Sequence, residues 1–270
     1  MKKQPVFIVL LCLLTVLSCN TTPPAKKVKS DRQYYDDAMV FFSSRNYFDS
    51  IPALEELREK FPLSPYAVLA ELRLGDSHYH KKEYEQAVHY FDNFRRLHPS
   101  NRDVPYSIFM TGMCHFQQIL SIDRDQTSAK EAVEYFKMLL ELYPLSPYTG
   151  KALCKMSESK KRIAEHEFFI GSFYSKKENY QGAIERYTKL IKAYPQSISV
   201  DKVYFYLAEA VILSGNQEHG KNILKLLLKR FPDSDYAPES KALLGLHTPE
   251  EDAPEEKEKK GNFFKRVLPF

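Results

Sequence analysis

The groups in this 270-residue sequence that could do chemistry are four cysteines, eight histidines and one short acid–base cluster. A thiol can serve as nucleophile, metal ligand or acylation site, and an imidazole as general base or ligand. Spacing removes most of these options. His78 and His80 lie two residues apart on a helical pattern, so they diverge by roughly 200° and cannot share a metal. His166-Glu167 is not part of an H-E-x-x-H zinc motif. Cys114 and His115 are helix neighbours and point apart. No glycine-rich phosphate loop and no G-x-S-x-G turn occurs. Asp123, Arg124 and Asp125 could suggest acid–base work, but the plainer reading is an ion-paired, hydrogen-bonded brace for a loop. The expectation is a protein with no catalytic residue, no cofactor and no metal.

Cys19 stands in a different context. Lys2 and Lys3 form a short positive stretch, Pro5 to Leu17 is almost wholly apolar, and Val16-Leu17-Ser18-Cys19 follows. That is the layout of a secretory signal, too short for a stable membrane span. A small residue before a cysteine, after an apolar run, resembles the lipobox of bacterial lipoproteins. The resemblance implies cleavage after residue 18, acylation of the Cys19 thiol and of its new amino group, and stable anchoring by several chains. The alternative is an ordinary secretory signal with Cys19 incidental. Asn20, in place of an aspartate, points to the outer membrane, with the protein facing the periplasm. Residues 19–30 read as a lipidated tether, in which Lys26, Lys27 and Lys29 lie near anionic headgroups or simply in solvent.

At the other end, residues 248–260 hold six acids and no core-forming residue, and 262–270 form an apolar, basic knot, NFFKRVLPF. Residues 248–270 are expected to be a disordered charged tail. Its end is open to several readings: a motif for an assembly partner, a membrane-surface contact, an idle segment, or a mimic of a client peptide. Net charge is +4, and +2 without Lys2 and Lys3, too weak and scattered for nucleic acid. With Cys12 in the signal and Cys19 acylated, Cys114 and Cys154 remain. Their helical, apolar contexts favour buried free thiols over a disulfide.

The positioning elements declare themselves by repetition. A bulky residue before proline recurs at Phe61-Pro62, His98-Pro99, Tyr143-Pro144, Tyr194-Pro195 and Phe231-Pro232. Twelve residues before each proline stand Ser50, Ala87, Ala132, Ala183 and Gly220, all small. Twelve earlier again stand Ala38, Gly75, Gly171 and Ala208, with Gly112 displaced eight residues upstream in the third unit by an insertion. Four residues after the second small position come Leu54, Phe91, Phe136, Tyr187 and Leu224. The pattern resembles the tetratricopeptide repeat. Antiparallel helices cross closely only where side chains are small; the large residue would fill the space between repeats, and proline stops the second helix. The expected fold is all-α, a superhelical solenoid of about five tetratricopeptide-type helical hairpins. Residues 31–145 would form an N-terminal module of repeats 1–3. Residues 146–247 would form a C-terminal module with a long helix and repeats 4–5. Most of the 18 Tyr and 18 Phe should be core.

A narrower resemblance rests on the ordered set: the lipoprotein signal, five repeats, the insertion Gln118 to Ser128 with Ile122-Asp123-Arg124-Asp125, and a long helical stretch from about Pro147 to Lys177. Together these resemble the BamD family, lipoproteins of the outer-membrane β-barrel assembly machinery, over residues 19 to about 245. The resemblance implies an interaction scaffold. Its partners would be the POTRA domains of the barrel-forming subunit, other assembly lipoproteins and unfolded outer-membrane clients, besides the membrane itself. It implies that Arg186, with Tyr187 beside it, faces the barrel subunit; a solvated helix face is the alternative for Arg186. Inner-face positions of the first helices, Tyr35, Met39, Phe42, Leu72, Asp76, Tyr79, Tyr106 and Phe109, would line a groove for a client's C-terminal peptide. The bland alternative is that half of these rings are core. A different periplasmic repeat lipoprotein, such as an envelope or cell-division adaptor or a pilotin, is the competing function.

Overall fold

The computed structural model describes residues 29–246, so Cys19, most of the tether and the 248–270 tail lie outside the described residues. Eleven helices and no strand occur among the described residues. They pair as hairpins: α1 (Asp31–Ser43) with α2 (Tyr47–Lys60), α3 (Pro65–His80) with α4 (Tyr84–Leu97), and α5 (Val104–Gln117) with α6 (Thr127–Leu142). Then come α7 (Thr149–Lys176) with α8 (Tyr180–Ala193), α9 (Val200–Leu213) with α10 (Gln217–Arg230), and a short closing helix, α11 (Ala237–Leu243). The fold is all-α, of tetratricopeptide type. Contacts divide the chain into two compact units, one ending at Ala70 and one starting at Glu71.

Within the first unit, α1 starts in a capping box: the Ser30 hydroxyl accepts from Gln33 N–H at 3.3 Å, and Gln33 Oε1 accepts from Ser30 N–H at 3.0 Å. The small residues Ala38 and Ser50 are fully buried, with Leu54 and Leu57 beside them.

Within the second unit the small positions explain the packing. A Cβ on Gly75 would lie 2.7 Å from the Phe91 ring, one on Gly112 2.6 Å from Phe136, and one on Gly171 2.6 Å from Tyr187. Each large residue therefore sits flat on the glycine of its own hairpin, rather than only filling the gap between repeats. It does reach onward as well: Phe91 lies 6.1 Å from Tyr106 and Tyr187 lies 6.4 Å from Tyr206, ring centre to ring centre. In the last hairpin the backbone itself approaches, since a Cβ on Gly220 would lie 2.9 Å from the Ala208 carbonyl oxygen.

The bulky residue before each proline is the C-cap of the second helix. Phe61, His98, Tyr143, Tyr194 and Phe231 all take φ between −127° and −135°. Their ψ, between 51° and 65°, has left the helical region, which a following proline disfavours. The hairpin turns share a further device that the repeat pattern did not reveal. Arg45, Lys82, Glu178 and Gly215 occupy the left-handed region just before α2, α4, α8 and α10. Asn46, Asn179 and Asn216 then cap three of those helices by accepting from the backbone three residues on.

Candidate interaction surfaces

The inserted loop of the third hairpin is braced, but not by ion pairs among its three charged residues. Asp123 accepts from the Ser121 hydroxyl at 2.5 Å, and Asp125 accepts from Thr127 N–H at 2.8 Å. Hydrogen bonds from Ser121 and Thr127 hold the two carboxyls below their ordinary range. The three side chains form no ion pair with one another among the described residues, because both acids bond to local donors instead. The brace comes from residues that sequence reasoning missed. Buried Gln126 donates through Nε2 to the carbonyls of Ser121 (2.9 Å) and Arg124 (3.0 Å). His166, on the long helix α7, places Nδ1 2.6 Å from the Ile122 carbonyl oxygen. No local pattern relates His166 to a loop 44 residues earlier. Replacing His166 by alanine removes a hydrogen bond worth about 1 kcal/mol. Residues 119–125 should then exchange amide hydrogens about five-fold faster, with α7 itself unchanged. Unchanged exchange would assign the loop to Gln126 alone.

The positions expected to line a peptide groove divide between the two units. In the first, Tyr35, Met39 and Phe42 are half-buried; Tyr35 packs against Tyr66 and Phe42 edge-on against Tyr47. In the second, Leu72, Asp76 and Phe109 are only 6%, 3% and 9% exposed. They are packing residues, closed to a peptide. Asp76 accepts from the Tyr106 hydroxyl at 2.5 Å and from Arg73 at 2.7 Å. Burial pushes its carboxyl pKa up, against the opposing pull of Tyr106 and Arg73. Tyr148, not anticipated from the sequence, stacks on Phe109 at 5.4 Å and tilts against Tyr106 at 5.4 Å. Tyr79 and Tyr106 keep partial exposure. The Tyr79 hydroxyl accepts from Gln117 at 3.2 Å.

The fourth hairpin carries an electrostatic centre. Glu167 of α7 is 7% exposed and receives Arg186 at 2.9 Å and Lys189 at 3.0 Å, both from α8. Burial pulls its pKa up, but the two cations outweigh that and leave the carboxyl below its ordinary value. Arg186 is thus engaged by a carboxylate of its own chain, while a third of its side chain remains exposed. Tyr187 is fully buried on Gly171, so it supports the hairpin from within and presents no surface to a partner. An open depression of about 530 Å³ runs along α8 beside this centre, lined by Ile184, Glu185, Thr188, Lys189, Lys192 and Ala193.

Cys114 and Cys154 are both free. Cys114 is buried, and burial pushes its thiol pKa up to about 12, which leaves it unreactive. Cys154, expected to be buried, is exposed because it lies on the outer side of α7. Lys29 is held by Asp37 at 2.7 Å. Among the described residues no group of His, Cys, Asp and Glu could hold a metal ion, and no helix is long and apolar enough to cross a membrane.

Residues 27–226 match the family described as YfiO, outer membrane lipoprotein. The outer membrane protein assembly factor BamD of Vibrio cholerae serotype O1 is 29% identical over 203 residues, covering 72% of this chain and 84% of the relative. That of Haemophilus influenzae is 26% identical over 220 residues, covering 78% and 84%. Among solved structures, the TPR2AB-domain:pHSP90 complex of yeast Sti1 aligns with a TM-score of 0.41 at 16% identity, covering 78% of this chain and 81% of that one.

Proposed function

The chain belongs to the YfiO family of outer membrane lipoproteins, and from that premise we propose that it is a non-catalytic scaffold in the assembly of outer-membrane β-barrel proteins. The observation that carries this reading is the family match over residues 27–226, joined by relatives whose name is outer membrane protein assembly factor. On this proposal Cys19 is acylated and holds the chain on the periplasmic side of the outer membrane. The exposed side of α8, with Arg186, Lys189 and the adjoining depression, is the proposed contact for a POTRA domain of the barrel-forming subunit. The half-buried first-helix residues are proposed contacts for client C-terminal peptides: Tyr79 and Tyr106 in one unit and, by themselves, Tyr35, Met39 and Phe42 in the other. The division of the repeats at residue 145 into modules of three and two is part of the same proposal, as is the presence of other assembly lipoproteins. A periplasmic adaptor for another envelope complex is the competing reading.

One experiment addresses anchor and partner together. Native membranes are fractionated, extracted in detergent, and the full chain is pulled down. The expected result is recovery in the outer-membrane fraction with a POTRA-containing barrel protein. Cys19→Ala should leave an uncleaved precursor absent from that fraction. Arg186→Leu should reduce co-purification at least about ten-fold, as truncating a buried interface arginine typically does. Glu167→Gln, which breaks the internal pair but keeps the arginine, should not. An equal loss in Arg186→Leu and Glu167→Gln would make Arg186 an internal brace only. Recovery with a different envelope complex would select the competing reading.

A further inference from the structure

Helix α10 buries Gly220, Ile223, Leu224 and Leu227. The helical period then turns Lys221, Lys225 and Lys229 away from the core, in one line along the outer side. Lys225 and Lys229 are exposed and Lys221 is partly so. None of the three has an ion pair or hydrogen bond among the described residues, and Glu218, in the first turn on the same side, pairs with none of them. The second helices of other hairpins differ. On α2 Lys60 meets Glu56 at 2.6 Å, on α4 Arg95 meets Asp92 at 3.2 Å, and on α6 Lys137 meets Glu141 at 3.8 Å. On α8 Lys189 is taken by Glu167 at 3.0 Å. Like charges four residues apart on a helix repel, so the lysine ridge of α10 is unfavourable on its own.

The matching charge lies a few residues further along the chain. Residues 250–256, Glu-Glu-Asp-Ala-Pro-Glu-Glu, carry five acids and no base. A block of like charge also repels itself. The last described residue, Leu246, follows α11, which packs on α10. Ten residues of extended chain from Leu246 to Glu256 span up to about 35 Å. The ridge from Lys221 to Lys229 is only about 12 Å long. So short a tether gives the acidic segment an effective concentration in the millimolar range at the ridge. We propose that the Lys221–Lys225–Lys229 face of α10 is a docking surface for an acidic peptide segment, and that its occupant is residues 250–256 of the same chain. Each exposed pair is weak and screened by salt, so the association is multivalent and reversible. While docked, the tail shields the ridge from other acidic surfaces. The proposal concerns a different helix from the α8 contact and does not depend on it.

Carbodiimide coupling, which joins a lysine amine to a carboxylate with loss of water, tests this on the full chain in detergent, using the monomeric fraction. At about 20 mM salt, linked peptides should join Lys221, Lys225 or Lys229 to the acids of 250–256, and their yield should fall about five-fold at about 500 mM salt. The triple variant K221E/K225E/K229E should abolish those links. Combining it with E250K/E251K/D252K/E255K/E256K should restore them with the polarity exchanged. All the substituted lysines lie on the outer side, and an unchanged helical circular dichroism spectrum confirms that the fold is kept. Coupling of the acids to Lys137 or Lys161 as readily as to the ridge would overturn the proposal. So would links that, in a mixture of isotope-labelled and unlabelled chains, join different molecules.

Discussion

Replacing Gly171 by leucine is expected to destabilise the protein by about 3 kcal/mol, through overpacking at the crossing of α7 and α8. Even a single added carbon would lie 2.6 Å from Tyr187 Cε1 and 2.9 Å from Cδ1. The ring has nowhere to go. It is fully buried, its hydroxyl lies 3.2 Å from that of Ser172, and the Phe168 ring centre stands 5.6 Å away. Relief therefore requires α8 to move off α7, which also disturbs its contact with α9. For a chain of this size about 1 kcal/mol corresponds to roughly 2–4 °C, so the midpoint followed by circular dichroism should fall by roughly 6–12 °C. Gly150 supplies the control, because a Cβ there meets nothing within 4 Å. Gly150→Leu should leave the midpoint within about 2 °C, as surface substitutions generally do. Equal melting of the two variants would refute the ring-on-glycine account of the hairpins.

Removing both cations from Glu167, as in R186L/K189L, should cost about 3 kcal/mol at neutral pH, because it strands a buried carboxylate. Removing the carboxylate instead, as in Glu167→Gln, should cost only about 1 kcal/mol. The asymmetry follows from exposure: Glu167 is 7% exposed, whereas Arg186 and Lys189 are 34% and 59% exposed and can turn to water. Acidity should modulate the difference. In the native protein the Glu167 carboxyl titrates below its ordinary value of 4.5, so its contribution is present above about pH 4.5 and is lost as pH falls through the lower folded value. In R186L/K189L only burial acts, the folded pKa rises, and protonation relieves the stranded charge. The gap between native and double variant should therefore begin to shrink above pH 4.5, as pH falls through the variant's raised value, and go on shrinking below 4.5 as the native carboxyl is protonated. Urea unfolding at neutral and acid pH reads both effects. A cost for Glu167→Gln equal to that of R186L/K189L would remove Glu167 from the role of buried acceptor.

The helical hairpins were legible because every requirement behind them is local. A small residue, a large residue four positions on and a proline eight further recur at fixed intervals, and each acts within one helix or one turn. Proline constrains the residue before it, so Phe61, His98, Tyr143, Tyr194 and Phe231 become C-caps wherever the rest of the chain goes. Gly75, Gly112 and Gly171 were recognisable as crossing points for the same reason, although the sequence did not say which ring would lie on each. The asparagine caps after Arg45, Glu178 and Gly215 carried a local signal too, one masked by the variety of side chains at the left-handed position and by Glu83 standing in the place of asparagine after Lys82.

What the tertiary structure decided is the choice of partners. Helical periodicity places Arg186 and Glu167 on their own helices, but only the α7–α8 crossing brings them to 2.9 Å, so that the arginine expected at a partner contact is also held by a carboxylate of its own chain. The same holds for His166 on the Ile122 carbonyl and for Tyr148 on Phe109. It also separated the expected groove positions into closed ones, Leu72, Asp76 and Phe109, and half-open ones, Tyr79 and Tyr106. Period alone assigns these residues to one face of their helices. Whether a face is open or covered depends on how closely the next helix approaches, which is fixed by side-chain volumes remote in the sequence and acting together.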